Sequence, residues 1–505
     1  MTALPEWLRG LPDAERMRAT DRWAIAEQGI PGIDLMERAG EGLAAFAAEL
    51  APGDGPIAVV CGKGNNGGDG YVAARLLREQ GRAVRVLTIA LVSELKGDAL
   101  TNAERLPGEP PETFSAGALE DAALAIDALL GTGFSGAPHG PAAEAIDALN
   151  AWGGPVVACD VPSGVDASTG EVEGAAVEAV ATATFAAAKP GLWINPGKAH
   201  AGAVRVIDIG IPPGADVETP DVGLIHDVDA LALVPRRRAG WTKFTSGHVL
   251  VAGGARGLSG APCLAAEAAQ RTGAGYVTAC VPASIQTVFE VRLLEVMTRG
   301  LPDDDGAHTE AGASTVLELA QRGGALIVGP GIGRTDGAVA FARRLVRDAK
   351  VAMVLDADGL NAHAGELGAL AGRPAPTVLT PHEGELGRLL GIDSDEVKAR
   401  RLHHVREAAR VAQAIVVLKG DDTLVAEPGG TVAVSPGATA ALATAGTGDV
   451  LSGVIGAILA RGVEPFAAAC AGMRLHARAG VHAAGVRGVD GVIARDVIES
   501  LPYAW

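Results

Sequence analysis

The sequence predicts an α/β protein made of two doubly wound domains, each with a mostly parallel sheet between layers of helices. Short runs of β-branched and other apolar residues, such as Ile57–Cys61 and Ala325–Val328, alternate with longer amphipathic stretches along the chain. Strands of this kind are buried on both faces, as they are in parallel sheets. The length of 505 residues exceeds what one ordinary core organises, so two or three domains are expected.

Each half of the chain carries its own series of strands. In the N-terminal half a helical region, Asp13–Leu50, precedes the first strand, and a helix is expected at Tyr71–Gln80. Strands are expected at Ile57–Cys61, Ala83–Ala90, Leu124–Leu130 and Pro155–Val161 in this half. In the other half the alternating pattern resumes at His248–Gly254, and later strands are expected at Ala325–Val328, Ala352–Leu355, Thr377–Leu379 and Ala414–Leu418. Between Gly210 and Gly247 the pattern weakens, which indicates a connection. The halves share no repeated motif, which favours a fusion of two domains, residues 1–218 and 219–505, over a duplication.

Charge and composition argue against several classes of protein. The formal net charge is −18, whereas nucleic acid binding needs a basic surface, so no nucleic acid partner is expected. No apolar run of about 18 residues occurs, so no membrane span is expected. The segment Met1–Pro12 lacks the features of a secretion signal, and the dispersed cysteines fit buried reduced thiols. A cytoplasmic protein is therefore expected.

A glycine-rich segment, Gly62–Gly70, lies between the first expected strand and the next helix. Its sequence, GKGNNGGDG, contains the GxGxxG pattern of dinucleotide-binding turns. The acidic residue that should follow about twenty positions later is missing, since the next strand ends with Leu87–Ala90. Asn65, Asn66 and Asp69 offer amide and carboxylate oxygens, which suit a cation or the hydroxyl and amide groups of a substrate.

Two further strands of this half end in polar loops. Asp127 precedes Leu130–Gly136, and Asp160 precedes Val161–Gly164. Loops at the carboxyl ends of parallel strands meet in one crevice, so these carboxylates are expected close to Asn65–Asp69. Each loop alone is also typical of an ordinary turn, whereas three converging loops favour a binding site.

The N-terminal motifs, in their order along the chain, resemble the NAD(P)H-hydrate epimerase family over roughly residues 10–215. They are LMERAG (Leu35–Gly40), GNNGGDG, Asp127 with GTGFSG, and DVPSGVD (Asp160–Asp166). The resemblance implies a Rossmann-like three-layer sandwich that interconverts the epimers of hydrated NADH and NADPH. It implies substrate contacts from Asn65, Asn66, Gly67, Gly68, Asp69, Gly131, Thr132, Gly133, Phe134, Ser135, Gly136, Ala137 and Asp160, and a potassium ion held by Asn66, Asp127 and Ser163. Because epimerisation of a carbon centre needs an acid/base partner, Asp160 is the expected catalytic residue.

The second half carries a segment typical of an anion site. Thr444–Gly453 (TAGTGDVLSG) leads into the apolar stretch Val454–Ala460, so small residues precede an expected helix. Small residues let the backbone approach a phosphate, and the first N–H groups of the helix point at it. Asp449 would then accept a proton from a substrate hydroxyl during in-line phosphoryl transfer. The alternative is that Asp449 is simply a favourable residue at a helix start. The expected anion hole is formed by Ala445, Gly446, Thr447 and Gly448.

Four other segments of this half adjoin expected strands: Gly253–Ala261, Gly329–Gly333, Thr380–Glu385 and Lys419–Thr423. The pattern GxxxxGK[ST] is absent from the sequence, which excludes a P-loop enzyme. In order and composition the segments resemble the ADP/ATP-dependent NAD(P)H-hydrate dehydratase family, which is ribokinase-like, from about residue 225 to the last residue. That family phosphorylates the hydroxyl of the hydrated cofactor; phosphate then leaves and the dihydronicotinamide is restored.

This second resemblance implies a role for each segment. The hydrated cofactor would contact Ala261, Gly331, Gly333, His382 and Asp449, and the adenine nucleotide would contact Lys419, Gly420, Asp421, Asp422, Thr423 and Gly448. Mg²⁺ is expected to bridge the nucleotide phosphates. ADP is expected rather than ATP, because bacterial members of the family use ADP and the composition, rich in Ala, Gly and Arg, is of bacterial type. A homo-oligomer is expected.

Two other functions compete with a repair enzyme. The C-terminal half also resembles ribokinase-like kinases of vitamin precursors, of the hydroxyethylthiazole or hydroxymethylpyrimidine type, but such a kinase has no evident use for GNNGGDG and DVPSG. A binding-only role, known for some epimerase-like domains, is disfavoured by the complete set of Asn65, Asn66, Asp69, Asp127 and Asp160. The pairing of the two halves favours an isomerase and a lyase that act on one damaged metabolite.

Overall fold

Buried strands alternate with helices in the described residues, 4–215 and 219–505, of the computed structural model. The chain divides into two units. Unit 1 consists mainly of residues 10–222, and unit 2 of residues 223–505 together with the short segment Pro5–Arg9. Residue 218, the last residue of the expected first domain, lies outside the described residues.

The structure contains every strand that the sequence predicts, and some of these strands are slightly shorter than predicted. In chain order the strands are β1 (Leu8–Gly10), β2 (Ile57–Cys61), β3 (Val84–Thr88), β4 (Glu112–Thr113), β5 (Leu124–Ala128), β6 (Val156–Cys159), β7 (Ala181–Phe185), β8 (Ala203–Ile207), β9 (Val222–Ile225), β10 (His248–Ala252), β11 (Tyr276–Pro282), β12 (Met297–Leu301), β13 (Asp303–Asp304), β14 (Ala307–His308), β15 (Ala325–Val328), β16 (Ala352–Leu355), β17 (Thr377–Leu379), β18 (Ile415–Leu418), β19 (Leu424–Ala426) and β20 (Val432–Val434).

Helices occupy most of the connections between these strands. In chain order they are α1 (Ala14–Ala26), α2 (Gly32–Leu50), α3 (Asn65–Glu79), α4 (Gly97–Glu104), α5 (Pro141–Trp152), α6 (Gly197–Ala201), α7 (Asp227–Ala232), α8 (Gly260–Thr272), α9 (Gln286–Arg292), α10 (Ala313–Ala320), α11 (Asp336–Asp348), α12 (Asp358–Asn361), α13 (Glu383–Leu390), α14 (Ser394–Ala399), α15 (Arg401–Ala412), α16 (Thr447–Leu459), α17 (Pro465–Arg487) and α18 (Ala494–Ser500).

Unit 1 is organised by a parallel sheet with the strand order β4-β3-β2-β5-β6-β7-β8. The chain direction across the sheet reverses between β2 and β5, which opens a crevice at their carboxyl ends. Successive residues face opposite sides of the sheet. Val59 belongs to the core formed with α2 and α3, and Val60 to the core formed with α5. Unit 1 is therefore a three-layer α/β sandwich.

Unit 2 is organised by a larger sheet with the order β1-β9-β20-β19-β18-β17-β16-β15-β10-β11-β12. The strands from β18 to β12 are parallel, and β18, β19 and β20 form antiparallel pairs. α16 packs against α8 and α17. A Cβ atom at Gly456 of α16 would lie 2.7 Å from Ile327 of β15, so this helix lies directly on the sheet. The expected fold class, two α/β domains with parallel sheets covered by helices, is confirmed.

The segment expected to be a plain connection, Gly210–Gly247, contains β9 and α7. Both elements are short, and their flanks are rich in Gly and Pro, so the local pattern is weak. β9 forms because it pairs within the sheet of unit 2, a tertiary effect that outweighs local propensity.

Two expectations from composition concern buried thiols and membrane spans. All five cysteines are buried free thiols, as predicted. Within residues 4–215 and 219–505, none of the helices combines the length and the apolar character that crossing a membrane requires.

Candidate active sites

Helix α3 begins at Asn65, and not at Tyr71 as the sequence predicts, so all of GNNGGDG except its first glycine lies in the first turns of the helix. Glycine has a low helix propensity, which is why the sequence indicates a loop there. Packing decides otherwise. A Cβ atom at Gly67 would collide with the carbonyl oxygen of Gly62, and one at Gly68 would lie 2.6 Å from the Met36 side chain. The glycines therefore let the helix start pack closely against its neighbours.

Asn65, Asn66 and Asp69 consequently stand on a helix instead of a loop. Asn65 is exposed, whereas Asn66 and Asp69 are each 9 % exposed. Among the described residues, Asn66 Nδ2 finds no hydrogen-bond partner although it is buried. A Cβ atom at Gly131 would lie 2.8 Å from Asn66 Oδ1. The start of α3 thus contacts the loop that follows β5.

Asp127, at the end of β5, is fully buried and binds the loop that follows β6. It accepts hydrogen bonds from Ser163 Oγ (2.6 Å), Ser163 N (2.8 Å) and Leu129 N (3.2 Å). Leu130 N donates to Ser163 Oγ at 2.8 Å. Burial raises the pKa of Asp127 to about 6, and the hydrogen bonds from Ser163 and Leu129 oppose this rise. The donors to Asp127 are neutral, so none of these hydrogen-bond partners carries a positive charge.

Asp160 follows β6 with a φ of 67°, in the left-handed region that few residues other than Gly, Asn and Asp adopt. Its carboxylate oxygens have different surroundings. Oδ1 accepts from Lys189 Nζ at 2.5 Å, Thr184 Oγ1 at 3.2 Å and Phe185 N at 3.3 Å. Oδ2 accepts from Thr132 Oγ1, which belongs to the loop after β5. Oδ2 therefore faces the loop that is expected to contact the substrate.

The carboxylates of this site differ in their preferred protonation state. Burial raises the pKa of Asp160, but the charge and hydrogen bond of Lys189, together with the hydrogen bonds from Thr132 and Phe185, outweigh it, so its pKa lies below the usual value. Burial, followed by repulsion from Asp160 and Asp21, holds the pKa of Asp69 well above its usual value. Asp21, on α1, also has a raised pKa, mainly because of burial. One carboxylate is held ionised while its neighbour favours the protonated form, which is the pattern of an acid/base pair.

The loop Gly131–Ala137 completes the site of unit 1. A hydrogen bond of 3.0 Å from Phe134 N to Gly131 O closes its first turn. Its members at 133, 135 and 137 are exposed, and the others are half-buried. The structure thus brings Asn66, Asp69, Asp127, Asp160, Ser163 and this loop to one edge of the sheet.

A second set of side chains lies at the carboxyl ends of the parallel strands of unit 2. α16 begins directly after Gly446, whose φ is 90°. The Thr447 hydroxyl contacts the carbonyl oxygens of Leu442 and Thr444, both at 2.8 Å, and so fixes the loop before the helix. The first N–H groups of a helix have no acceptor within it and lie at the positive end of its dipole. The segment Ala445–Gly448 therefore presents backbone donors suited to an anion.

Asp449 stands in the first turn of α16. Burial, and next the negative charge of Asp356, raise the pKa of Asp449 to about 7, while Lys419 lowers it. Glu385 and Asp358 add further negative charge. A carboxyl with a pKa close to the working pH is an efficient general base. The electrostatic environment of Asp449 therefore fits the role predicted for it.

Lys419, directly after β18, joins several of these elements. Its Nζ lies 3.2 Å from Asp356 Oδ1 and 3.5 Å from Glu385 Oε2, and a Cβ atom at Gly448 would lie 3.6 Å from it. Ser452 of α16 donates to Asp356 Oδ2 at 2.7 Å. Burial lowers the pKa of Lys419, but Asp356 and Glu385 raise it more, so the side chain stays charged. A positive charge is thus fixed beside the start of α16.

His382 is the N-cap of α13. Its Nδ1 accepts from Gly384 N at 3.0 Å and from Glu385 N at 3.4 Å, and Glu385 Oε2 accepts from His382 N at 3.0 Å. These reciprocal bonds form a capping box. The ring is 50 % exposed, and its Nε2 lies 3.6 Å from Glu385 Oε2, so a ligand can reach the exposed side of the ring.

The segment Lys419–Thr423 forms a closed turn. Gly420 N donates to Thr423 Oγ1 at 3.2 Å, and this hydroxyl donates to Gly420 O at 2.5 Å. Gly420 and Asp421 are exposed. A nucleotide can therefore reach Gly420 and Asp421, while the Thr423 side chain shapes the turn.

Asp422 faces inwards. It is 1 % exposed and accepts from Arg401 Nε at 3.0 Å. Arg401, itself buried, also donates to Lys419 O at 3.2 Å and pairs with Glu383 at the start of α13. Through Arg401, the Asp422 side chain therefore connects the turn Lys419–Thr423 to α13.

The segments expected to contact the hydrated cofactor meet near α8. Gly331 has a φ of 64°, and a Cβ atom there would lie 3.4 Å from Ala261 Cβ. Gly333 N donates to Asp358 Oδ2 at 3.1 Å. Asp358 is one of the charges that raise the pKa of Asp449. Ala261, the two glycines and Asp449 therefore lie along one edge of the sheet.

Sequence reasoning missed Lys189, Asp356 and Arg401. Lys189 is an isolated lysine between Ala188 and Pro190, and a lone lysine in an apolar run is rarely buried unless it is paired. Asp356 directly follows β16. Its position at the carboxyl end of a strand is the same signal that identified Asp127 and Asp160 as candidates. Arg401 has no local signal, because its partners are distant in the sequence.

Comparison with known proteins identifies relatives of both halves. Residues 249–503 match the family described as NAD(P)H-hydrate dehydratase, and residues 32–191 match the family of YjeF-related protein N-termini. The chain is 39 % identical to the bifunctional NAD(P)H-hydrate repair enzyme Nnr of Moorella thermoacetica, with 98 % of this chain and 96 % of the relative covered. It is 40 % identical to the Salinibacter ruber protein of the same name, with 97 % and 95 % covered. A solved structure of the ADP/ATP-dependent NAD(P)H-hydrate dehydratase from Bacillus subtilis, co-crystallised with ATP and Mg²⁺, is 27 % identical, covers 55 % of this chain and 96 % of its own, and has a TM-score of 0.47.

Proposed function

Because the chain belongs to the family of bifunctional NAD(P)H-hydrate repair enzymes, we propose that it repairs hydrated NADH and NADPH with two activities. One interconverts the R and S epimers of the hydrate, and the other converts the S epimer to NAD(P)H at the expense of ADP or ATP. The observation that carries the proposal is that the chain matches a bifunctional relative over 98 % of its own length while both sites keep their predicted residues.

The two activities are assigned to the two halves of the chain. The epimerase corresponds to residues 1–218 and the dehydratase to residues 219–505. The matches of residues 32–191 and 249–503 to separate families support this assignment.

In the epimerase, Asp160 is the group that exchanges a proton with the substrate. Its Oδ2 faces Thr132, whereas its Oδ1 is held by Lys189 and β7. The substrate contacts Asn65–Asp69 and the loop Gly131–Ala137. Asp69, whose carboxyl favours the protonated form, donates a hydrogen bond to it.

Asn66, Asp127 and Ser163 fit a potassium ion. Asp127 is a fully buried carboxylate whose hydrogen bonds come from neutral groups. Ser163 supplies a hydroxyl, and the Asn66 amide lies beside Gly131 in the loop after β5. Oxygen ligands of this kind suit hard cations. A potassium ion held there would supply positive charge beside Asp127 and favour an anionic substrate.

In the dehydratase, Asp449 accepts the proton of the substrate hydroxyl as that oxygen bonds to the terminal phosphorus of ADP. The bond from this phosphorus to its bridging oxygen breaks and releases AMP. The carbon–oxygen bond to the new phosphate then breaks, and a proton leaves the neighbouring ring carbon, so the products are NAD(P)H and phosphate. Lys419 and the N–H groups of Ala445–Gly448 stabilise the negative charge of the transferred group.

Asp356 and Glu385 would hold Mg²⁺ together with the nucleotide. Mg²⁺ in such sites is bound by one or two carboxylates and by phosphate oxygens. In the described ranges, no group of three or more His, Cys, Asp and Glu side chains is placed to hold a metal ion. The ion would offset the negative charge of the phosphates.

We further propose ADP as the preferred donor, a cytoplasmic location, no nucleic acid partner and a homo-oligomeric state. The net charge of −18 supports the exclusion of nucleic acid. Rates measured with ADP and ATP side by side test the donor, and sedimentation velocity tests the oligomer.

The proposed function is tested with an R/S mixture of hydrated NADH, K⁺, Mg²⁺ and ADP or ATP. Repair forms NADH, which is followed by its near-ultraviolet absorbance, and free phosphate, and it consumes both epimers. Without nucleotide, epimers should interconvert while no NADH forms. A stable phosphoester of a vitamin precursor, with no NADH from the hydrate, would instead identify a small-molecule kinase.

A further inference from the structure

Lys189 is a buried lysine in the epimerase site. Its side chain is 1 % exposed, and its Nζ contacts Asp160 Oδ1 at 2.5 Å, Thr184 Oγ1 at 2.8 Å and Phe185 O at 2.9 Å. An ammonium group has three donors, so each of them has an acceptor. Burial of a lysine is costly unless it is paired and hydrogen-bonded, which makes this arrangement a specific one.

The contacts around Lys189 make the two oxygens of Asp160 unequal. Oδ1 accepts from Lys189 Nζ, Thr184 Oγ1 and Phe185 N. Oδ2 lies on the opposite side of the carboxylate and accepts from Thr132 Oγ1 in the substrate loop. The carboxylate is therefore clamped through Oδ1 and presents Oδ2 to the loop.

The backbone of the neighbouring strand supports the same orientation. Asp160 N donates to Ala183 O at 2.8 Å, and Asp160 has a φ of 67°. Ala183, Thr184 and Phe185 all belong to β7, and Lys189 lies in the segment that follows it, after three alanines. β7 and the segment after it therefore fix both the backbone and the carboxylate of Asp160.

Charged groups face this pair from other elements. Asp69 lies on α3 and Asp21 on α1. Burial raises the pKa of both, the charge of Asp160 raises it further in each, and the charge of Asp21 adds to the rise at Asp69. The charge of Lys189 lowers the pKa of both Asp69 and Asp160. Lys189 thus supplies positive charge among three carboxylates.

We propose that Lys189 is a positioning residue for epimerisation, which turns the Asp160 carboxylate so that Oδ2 faces the substrate. Lys189 acts through Asp160 and does not touch the substrate. This inference rests on the proposed epimerase function of unit 1. The proposed role explains why a buried cation, Lys189, lies in the site. Neither substrate binding nor the potassium ion accounts for this lysine.

The variant Lys189→Met tests the inference because it keeps the length of the side chain and removes its charge. The kcat for conversion of the R epimer should fall about tenfold to a hundredfold, with little change in KM, because the base is present but no longer held. The acidic limb of the pH profile should move to higher pH, because removal of the cation raises the pKa of Asp160. A merely structural role would not move this limb.

Lys96→Met is the matched control, since Lys96 is an exposed lysine of unit 1. It should keep the wild-type rate and pH profile. Dehydration of the purified S epimer by the same Lys189→Met chain reports whether unit 2 is intact. Circular dichroism and thermal unfolding report whether unit 1 is folded.

The double variant, compared with Asp160→Asn alone, keeps the inference testable if Lys189→Met does not fold. Asp160→Asn/Lys189→Met removes both charges together. If Lys189 acts through Asp160, adding Lys189→Met to Asp160→Asn leaves the residual rate unchanged. A further loss of about tenfold, or a wild-type kcat and pH limb in Lys189→Met, would overturn the inference. If wild-type protein does not interconvert the epimers at all, the proposed function fails before any variant is compared.

Discussion

Protonation of Asp449 should switch off dehydration on the acid side of neutrality. Burial beside Asp356 gives this carboxyl a pKa of about 7, and only its ionised form can accept the proton of the substrate hydroxyl. About half of the sites are then active at pH 7 and about one tenth at pH 6, so kcat/KM for the S epimer should fall about tenfold for each further unit of acidification. The assay is NADH formation from the S epimer with ADP and Mg²⁺, in buffers of constant ionic strength.

The variant Asp449→Asn removes the base and nearly keeps the shape of the side chain. Dehydration should fall by roughly 10²-fold or more, and the acidic limb assigned to Asp449 should vanish because asparagine does not titrate. Interconversion of the epimers, measured on the same preparation, should stay at the wild-type rate. Turnover of the S epimer at the wild-type rate by this variant would refute the assignment.

Asp356→Asn tests the electrostatic cause of the raised pKa. The substitution removes the neighbouring negative charge and keeps an acceptor for Ser452, so the pKa of Asp449 should fall and the acidic limb should move to lower pH. A limb that moves to higher pH would mean that another group titrates.

The remaining predictions concern both units. Asp160→Asn should lower conversion of the R epimer by roughly 10²-fold or more, with S-epimer dehydration unchanged, as measured on separated epimers after subtraction of spontaneous epimerisation; consumption of the R epimer at the wild-type rate would remove Asp160 from the reaction. Gly67→Ala should abolish epimerisation and spare dehydration, because the added Cβ atom collides with the Gly62 carbonyl; a full rate in the same epimer assay would show that the helix start can shift. Asp449→Asn should raise the calorimetric Tm of unit 2 most above pH 7, because the raised pKa of the folded carboxyl penalises its ionised form there. The gain in Tm should shrink as the pH falls from about 7 towards the usual aspartate pKa. A gain in Tm that grows on acidification would contradict this sign. Exchange of potassium for lithium should slow epimerisation alone, and equal rates with both ions would argue against a potassium site at Asp127.

The strands and the carboxylates at their ends were predictable because both depend on local pattern. Ile57–Cys61 is an unbroken apolar run between a Pro and a Gly, and it forms β2 with the same bounds. Parallel strands must end at one edge of the sheet, so Asp127 and Asp160 could be placed near each other without knowledge of any distance.

The start of α3 was not predictable in this way. Helix propensity is a local quantity, and Gly67 and Gly68 argue against a helix by that measure. What decides the structure is the fit of Gly67 against the Gly62 carbonyl, in the loop before the helix, and of Gly68 against Met36 of α2. Only the tertiary structure contains that information.

The ion pairs that organise the sites depend on contacts between distant residues. Lys189 and Asp160 are 29 residues apart in the sequence and meet because β6 and β7 are neighbours in the sheet. Arg401 reaches Glu383 and Asp422 from α15 in the same manner. Residue type alone identifies such groups as charged, and strand order identifies their partners.

The close packing of α3 limits how unit 1 can be made more heat-stable. Replacing a helical glycine by alanine ordinarily adds about 1 kcal/mol of stability, and it is a common step in protein engineering. At Gly67 the added methyl group would collide with the Gly62 carbonyl oxygen, and at Gly68 it would displace the Met36 side chain. The substitution is therefore unfavourable in the part of the helix that carries the site. Stabilising substitutions in α3 belong instead at its exposed end, near Glu79, where the backbone carries none of the residues assigned to substrate binding.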